Sequence, residues 1–340
     1  MPPSKSSSDG LAAVWRGRGP LAWLLLPLGG VFFVIASLRR LAYRWGWLKS
    51  ERLPIPVVVV GNIIAGGAGK TPLTLWLAQR LVALGRKPGI VSRGYGRDGD
   101  AVRKVGAGDT ASEVGDEPLL LAHRTNCPVV VGADRAAAAH ALLQAYPECD
   151  LILCDDGLQH YRLWRDLEIA VIDRRGLMNG WPLPAGPLRE PAARLAKVDA
   201  LVLNGSTTAP AAAVPVFRMR LEGERFYRLD DTDISCAASD FAGYKLHAVA
   251  GIGEPQRFFD HLAALGLSCE AHAFPDHHRY VDADLDFVGD AILTTEKDAL
   301  KCAGLSEMPI WVLPVDAVIE PDLARFVLDS LEKTDGPASA

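Results

Sequence analysis

Short apolar runs alternate with longer stretches of helical period along most of this chain. Val57–Gly61 is a β-branched run that predicts a buried parallel strand, Pro88–Ser92, Pro128–Val131 and Ala200–Asn204 read as further short strands, and Leu167–Asp173 as a strand ending in an acid. Asp150–His160 reads DLILCDDGLQH, an apolar strand that ends in two carboxylates and a glycine. Leu73–Leu84 has the period of an amphipathic helix stopped by Gly85, and Asp134–Tyr146 is an alanine-rich helix. Strand and helix in turn predict a doubly wound α/β sheet. Phe217–Leu229 alternates as a strand or hairpin between two domains. Lys245–Gly253, the helix Pro255–Leu265, Ile292–Leu300 and a final strand Trp311–Val315 then predict a smaller C-terminal α/β domain.

One segment departs from this alternation. Gly19–Leu38 carries no charge and is long enough to cross a hydrocarbon core, with Pro27 and Gly29–Gly30 as places for a kink. Arg16 and Arg18 precede it, and Arg39, Arg40 and Arg44 follow. Basic residues on both flanks blur orientation. Trp45 and Trp47, set among the arginines of 39–52, suit an interfacial collar. The expectation is an N-terminal membrane helix that spans the bilayer or lies partly inserted.

The chemistry concentrates where Val57–Gly61 ends. Residues 57–72 read VVVVGNIIAGGAGKTP. Gly66, Gly67 and Gly69 let backbone N–H groups turn towards a phosphate at a helix start. Lys70 can reach the β- and γ-phosphates, and Thr71 can ligate Mg2+. Ile64 stands where the common P-loop pattern has its first glycine, so the doubled glycine is similar to the variant loop of partition-type ATPases. Behind a P-loop, the Asp155–Asp156 strand tip suits an acidic pair that organises Mg2+ or its water. Arg93–Arg97, RGYGR, follows Pro88–Ser92 and suits an anionic group or a solvated basic turn. Asp116 sits at a helix start, as a cap or as a base for a substrate hydroxyl. Gln159 and His160 either contact substrate or γ-phosphate or serve capping and packing. In Pro184–Pro191, PAGPLREP, Arg189 suits a phosphate and Glu190 suits a metal or the orientation of that arginine. The Gly-Ile-Gly turn at 251–253 lacks a lysine and reads as fold architecture. Phe274–Tyr280, FPDHHRY, suits a proton-handling histidine better than a zinc site. Thr295, Glu296, Lys297 and Asp298 either face the same crevice or form a charged turn.

Composition adds limits. With 340 residues the chain can bury a large core. The net charge of -5 gives no reason to expect nucleic acid as partner. The 6 cysteines show no CxxC pair or zinc spacing and read as free thiols of a reducing compartment.

Together, GNIIAGGAGKTP, SRGYGR, GDEP, CDDGLQH, PAGPLREP, FPDHH and TEKDA resemble, in order, the tetraacyldisaccharide 4′-kinase family of lipid A biosynthesis. The resemblance implies phosphorylation by ATP and Mg2+ of the 4′-hydroxyl of a tetraacylated glucosamine disaccharide 1-phosphate. It places the protein at the cytoplasmic face of a Gram-negative inner membrane, with lipid substrate and phospholipids as partners and no obligatory protein partner. It implies a P-loop domain and a smaller α/β domain joined by strands that allow closure. The expected division is a flexible basic N-terminus (1–18), a membrane-anchoring helix (19–40), a P-loop kinase domain (41–215), an interdomain strand linker (216–230), a smaller α/β domain (231–332) and a loose tail (333–340). Asn62, Gly66, Gly67, Ala68, Gly69, Lys70 and Thr71 would bind nucleotide. Thr71, Asp155, Asp156 and Glu190 would serve the metal, with Asp156 the main acid. Arg93, Tyr95, Gln159 and Arg189 would meet substrate. Asp116 would be the catalytic base and His277, rather than the adjacent His278, its partner, with Lys70 the third catalytic group.

Overall fold

A computed structural model describes residues 13–205 and 213–335. The expectations for residues 1–10, most of the 206–215 linker and the last residues of the tail lie outside these. The elements begin with helix α1 (Pro20–Arg44) and strand β1 (Val57–Gly61). Helix α2 (Lys70–Ala83), β2 (Pro88–Ser92), β3 (Arg103–Lys104), α3 (Asp116–Thr125), β4 (Val129–Val131) and α4 (Arg135–Ala145) follow. Then come β5 (Leu151–Asp155), β6 (Leu167–Asp173), β7 (Ala200–Asn204) and β8 (Val216–Glu222). The second group is β9 (Arg225–Arg228), β10 (Ser235–Ala237), β11 (Leu246–Ala250), α5 (Pro255–Ala264), β12 (Cys269–Ala273), β13 (Ala291–Thr295), α6 (Glu296–Cys302) and β14 (Ile310–Leu313). The described chain closes with β15 (Asp316–Glu320) and α7 (Leu323–Asp335).

The first sheet has nine strands in the order β15-β8-β7-β6-β1-β5-β2-β4-β3. All neighbours from β8 to β4 run parallel, and antiparallel β15 and β3 close the edges. Alternation along β1 sends Val58 and Val60 into one core, with Leu73, Leu77 and Leu81 of α2, and Val57 and Val59 into another, with Ala136, Ala139 and Leu142 of α4. Burial on both faces is why these strands are continuously aliphatic. Parallel pairing brings the C-terminal tips of β1, β5, β2 and β6 to one edge, where the P-loop and the acidic pair lie together.

The second sheet has six strands in the order β10-β9-β14-β13-β11-β12. The expected linker, 216–230, divides between the two sheets as β8 and β9. The expected boundary at 332 is corrected. The smaller sheet ends with β14, and the chain then returns: β15 pairs with β8, and α7 packs on the first core. Ala317 and Ile319 face inward from β15, and Leu323, Val327 and Leu331 recur at helical spacing on α7. These patterns announce the elements but not the distant sheet they join. The two crossings touch, because a Cβ on Gly223 would lie 2.2 Å from the carbonyl oxygen of Pro314. Helix α7 also continues past Lys333, where a loose tail was expected, to Asp335.

Helix α1 is continuous through Pro27. Its mean hydropathy of 2.3 over 18 residues is that of a membrane span, and only 11% of that window is buried, unlike the core helix of a soluble protein. One face docks at its start. Trp23 meets Trp181 edge-to-face at 4.8 Å, Gly29 lies against Pro182 and Ala185, and Arg18 donates to the Asn179 carbonyl. Leu24, Leu28, Val31, Ile35 and Leu38 remain exposed, an apolar surface that water does not favour.

Candidate active site

The P-loop is shaped by its glycines. Gly66 and Gly69 have φ of 93° and 91°, in the left-handed region that only glycine enters without strain. A Cβ on Gly69 would lie 2.3 Å from Asn204 Nδ2, which donates to the Ala68 carbonyl at 3.0 Å. Asn62 is fully buried and donates to the Gly66 carbonyl at 3.2 Å. Arg175, braced by Asp173, donates to the Gly67 carbonyl at 2.6 Å. The loop is therefore held from behind at Gly66, Gly67 and Ala68. Helix α2 starts at Lys70 rather than after Pro72, so Lys70 and Thr71 sit in its first turn, both buried.

The two acids at the tip of β5 separate. Asp155 is wholly buried, and Oδ1 accepts from the Thr74 hydroxyl at 2.9 Å. Its Oδ2 has no hydrogen-bond partner among the described residues. Burial, then Glu117 and Asp156, push its carboxyl up to about 7. Asp156 adopts φ of 49°, which swings its carboxylate into the crevice, 3.6 Å from Lys70 Nζ and 3.3 Å from Arg189 Nη1. Burial opposes its ionisation, but Lys70 and Arg189 outweigh it and hold the carboxyl below its ordinary value. Gln159 Nε2 donates to the Asn62 carbonyl at 3.0 Å and to Glu190 at 2.8 Å. Glu190 also accepts from the Tyr161 hydroxyl and pairs with Arg194 at 3.3 Å, so its charge is already compensated by protein groups. His160 turns to structure: its Nε2 accepts from the Arg135 N–H at the start of α4 at 3.1 Å. Burial and Arg135 lower its pKa to about 4.

Across the crevice the second sheet contributes the FPDHH turn. His277 stands at φ of 60° and brings Nδ1 to 2.9 and 3.0 Å from the two oxygens of Asp116. His278 points away, to Asp284 at 2.9 Å and onto the Phe274 ring. Asp116 is buried at the first turn of α3, where its carboxylate accepts from the Glu117 N–H. Burial disfavours its charge, but the His277 hydrogen bond and then Lys297 overcome this and bring the carboxyl down to about 2. Lys297 and Lys301 approach Asp116 to 3.7 and 3.6 Å. Lys297 also meets Asp276 at 2.8 Å, and, against the effect of burial, Glu117, Asp116 and Asp276 hold its ammonium above the ordinary value. Of the two readings of Thr295–Asp298, Lys297 follows the one in which it faces the crevice, whereas Lys301 stands outside every motif the sequence offers. Their i, i+4 spacing on α6 was the available signal.

A single cleft of about 2170 Å³ contains Lys70, Asp156, Arg93, Tyr95, Arg189 and His277. Its wall continues to Phe32, Ile35 and Ala36 of α1. Exposed Tyr95 lies against the His277 ring at 4.9 Å between centroids. Gly253 faces the P-loop, since a Cβ there would lie 3.4 Å from Gly67 N. The two sheets are tied around this cleft by Arg124 with Glu296 and by Arg174 with Glu254, and Arg124 also pairs with Asp316 at the start of β15. The arrangement offers an anion cradle, an acid beside it and a buried carboxylate–imidazole pair opposite, the parts of a phosphoryl transfer to a hydroxyl.

Comparisons with known proteins agree with that chemistry. The family profile described as LpxK, tetraacyldisaccharide-1-P 4′-kinase, matches residues 21–332. The tetraacyldisaccharide 4′-kinase of Dechloromonas aromatica (strain RCB) is 55% identical over 319 residues, covering 93% of this chain and 94% of the relative. That of Azoarcus sp. (strain BH72) is 53% identical over 327 residues, covering 95% and 96%. The crystal structure of LpxK from Aquifex aeolicus in complex with ATP aligns at a TM-score of 0.78 and 31% identity, over 91% of this chain and 99% of that one. With the profile spanning most of the chain and relatives matched end to end, this protein belongs to the tetraacyldisaccharide 4′-kinase family.

Proposed function

We propose that the cleft transfers the γ-phosphoryl group of ATP to the 4′-hydroxyl of a tetraacyl disaccharide 1-phosphate. The observation that carries this reading is the continuity of one cleft from the P-loop, past His277, whose imidazole Asp116 holds from behind, to the apolar side chains of α1. A soluble nucleotide and an acylated sugar can meet there. Four acyl chains leave a bilayer at a cost of roughly 0.8 kcal/mol per CH2 exposed, so the enzyme must reach the headgroup at the surface. We assign α1 to the cytoplasmic face of a Gram-negative inner membrane, anchored among its phospholipids.

In the mechanism, the P-loop N–H groups and the start of α2 hold the phosphates, and Lys70 sets positive charge beside the transferring group. Arg93 and Arg189 are placed to meet anionic oxygens, and Tyr95 and Gln159 line the acceptor side. Asp116 takes the hydroxyl proton. A carboxyl held near 2 is a weak base alone, so its hydrogen bond to His277 matters: the pair holds the proton as one unit. Lys297 keeps that pair charged and in place. The paired crossings at Gly223 and Pro314 are suited to a hinge, and closure would complete the site and exclude water. The doubly wound P-loop NTPase plan supplies the rigid half of this movement.

The donor set also suits Mg2+. An Asp155 oxygen that is wholly buried and without a partner among the described residues, on a carboxyl raised by burial and then by neighbouring acids, and a hydroxyl at Thr71 are oxygen ligands such a cation takes directly or through water. Thr71 and Asp156 would hold it, with Asp155 behind them and Glu190 fixing Gln159 alongside. The ion would supply charge neutralisation on the β- and γ-phosphates. The test is incubation with γ-labelled ATP and tetraacyl disaccharide 1-phosphate in mixed micelles. A labelled bisphosphorylated lipid is expected. Free phosphate with no labelled lipid would refute the reading and favour a nucleotide-driven switch.

A further inference from the structure

We propose that His247, Glu270 and His272, on the edge of the second sheet, form a binding site for a divalent transition metal of the zinc class. Among the described residues β12 is an edge strand that pairs with β11 alone, in parallel, with His247 opposite Glu270 and Val249 opposite His272. Glu270 and His272 are two residues apart on one strand, so they share a face with His247. The three ligand atoms lie within 4.8 Å of one another. His247 Nδ1 is 3.0 Å from His272 Nε2 and 3.6 Å from Glu270 Oε2. Metal–ligand bonds of about 2.0–2.1 Å at tetrahedral angles place neighbouring ligand atoms about 3.3 Å apart, midway between these two separations. Small rotations of the two rings would open the gap for an ion.

The surroundings favour a metal over a chance pair. His247 is buried, and its Nε2 lies 3.3 Å from the Val288 carbonyl, which acts as acceptor. That partner puts the proton on Nε2 and leaves the Nδ1 lone pair directed at the cluster, as backbone carbonyls do for ligating histidines. Phe287 stacks on both rings, at 4.6 and 4.1 Å between centroids, and fixes their planes. Glu270 is solvent-exposed and leaves an open side for water as the remaining ligand. Two imidazoles with one carboxylate select zinc or cobalt over magnesium, so the ATP site is not a competitor for the same ion. The consequence is a staple. An ion here would tie β12 to β11 just before the turn that carries His277, in a strand otherwise held on one side only.

The full-length protein, freed of any affinity tag, is titrated with Zn2+ by calorimetry in excess Mg2+, and with Co2+ by visible absorption. One tight equivalent is expected, with a Co2+ spectrum of nitrogen and oxygen ligands and a thermal midpoint raised by Zn2+. His272→Gln and Glu270→Gln are expected to fold, since neither residue is fully buried. His272→Gln should weaken binding by about 100-fold or more. Equal Zn2+ affinity and stoichiometry in the wild type and His272→Gln would overturn the site. So would a Co2+ spectrum dominated by thiolate charge transfer, which would assign the metal to cysteines.

Discussion

Asp116→Asn removes the charge that the second sheet is built to hold. The amide keeps the shape of the carboxylate but cannot take a proton, so transfer at saturating ATP should fall by about 10²–10⁴-fold. ATP affinity should hold, because the partners of Asp116 are His277, Lys297, Lys301 and the Glu117 N–H rather than the P-loop. The fall of its carboxyl from 3.8 to about 2 corresponds to about 2 kcal/mol of preference for the ionised form in the folded protein. The sign follows from linkage. The folded value lies below the unfolded one, so this stability is fully present above about pH 4 and is lost as pH falls towards 2. Asp116→Asn should therefore unfold at lower urea concentration than wild type at pH 7, and the gap should narrow in acid. The assay for catalysis is a double-mutant cycle with His277→Ala on the transfer rate. If the pair is one base, His277→Ala costs less than Asp116→Asn, and the double variant costs clearly less than the two single losses multiplied. Multiplicative losses, or a turnover within tenfold of wild type in Asp116→Asn, would refute the dyad.

The other expectations follow from the same geometry. Asp156→Asn should shift the Mg2+ titration of activity to higher concentration, and Asp155→Asn should shift it differently because Thr74 holds that carboxyl; wild-type titrations for both would remove the pair from the metal site. His160→Gln should keep stability at pH 7, since the amide oxygen can still accept from Arg135 N, and should lose the acid sensitivity that wild type shows between about pH 6.5 and 4. The sign is that of a histidine whose folded value is depressed: its neutral form stabilises above 6.5, and protonation of the unfolded chain withdraws that stability below it. A wild-type unfolding profile equally flat over that range would contradict the buried neutral ring. Deletion of residues 1–40 should release most of the protein from membranes into a high-salt wash while nucleotide binding persists, and undiminished retention would place the anchor elsewhere.

What the sequence disclosed of this site depended on how local each signal is. The P-loop was legible because glycine, lysine and threonine act within one turn, and the family resemblance joined it to distant motifs. The two acids at the tip of β5 are adjacent, and the sequence assigns both to the metal with Asp156 the main one. Their separation rests on φ of 49° at Asp156, a left-handed residue that no composition announces. The same conformation at His277 aims its ring at Asp116 and leaves His278 to Asp284, so adjacent histidines part for the same reason. Lys301 was hidden because its partner lies 185 positions away in the sequence, at the start of a helix in the other sheet. The return of β15 to β8 was hidden likewise, since alternation names a strand but not its neighbour.

That return bears on how the enzyme works. A chain that crossed once between the sheets would leave the smaller one free to swing about a single strand. Here it crosses twice, at Gly223 and at Pro314, and the crossings are in contact. Two adjacent strands resist twisting about each other more than one does but can still bend together, so a hinge here would be restricted to opening and closing of the cleft. Such a hinge would preserve the approach of His277 to Asp116 along one path. The Arg124 contacts with Glu296 and Asp316 link α3, which carries Asp116, to α6, which carries Lys297, and to the strand just past the crossing. If Asp116 is the base and the cleft closes as proposed, its positioning and that closure would be coupled through the same side chains, and a lipid hydroxyl would meet a charged pair only when water has been displaced.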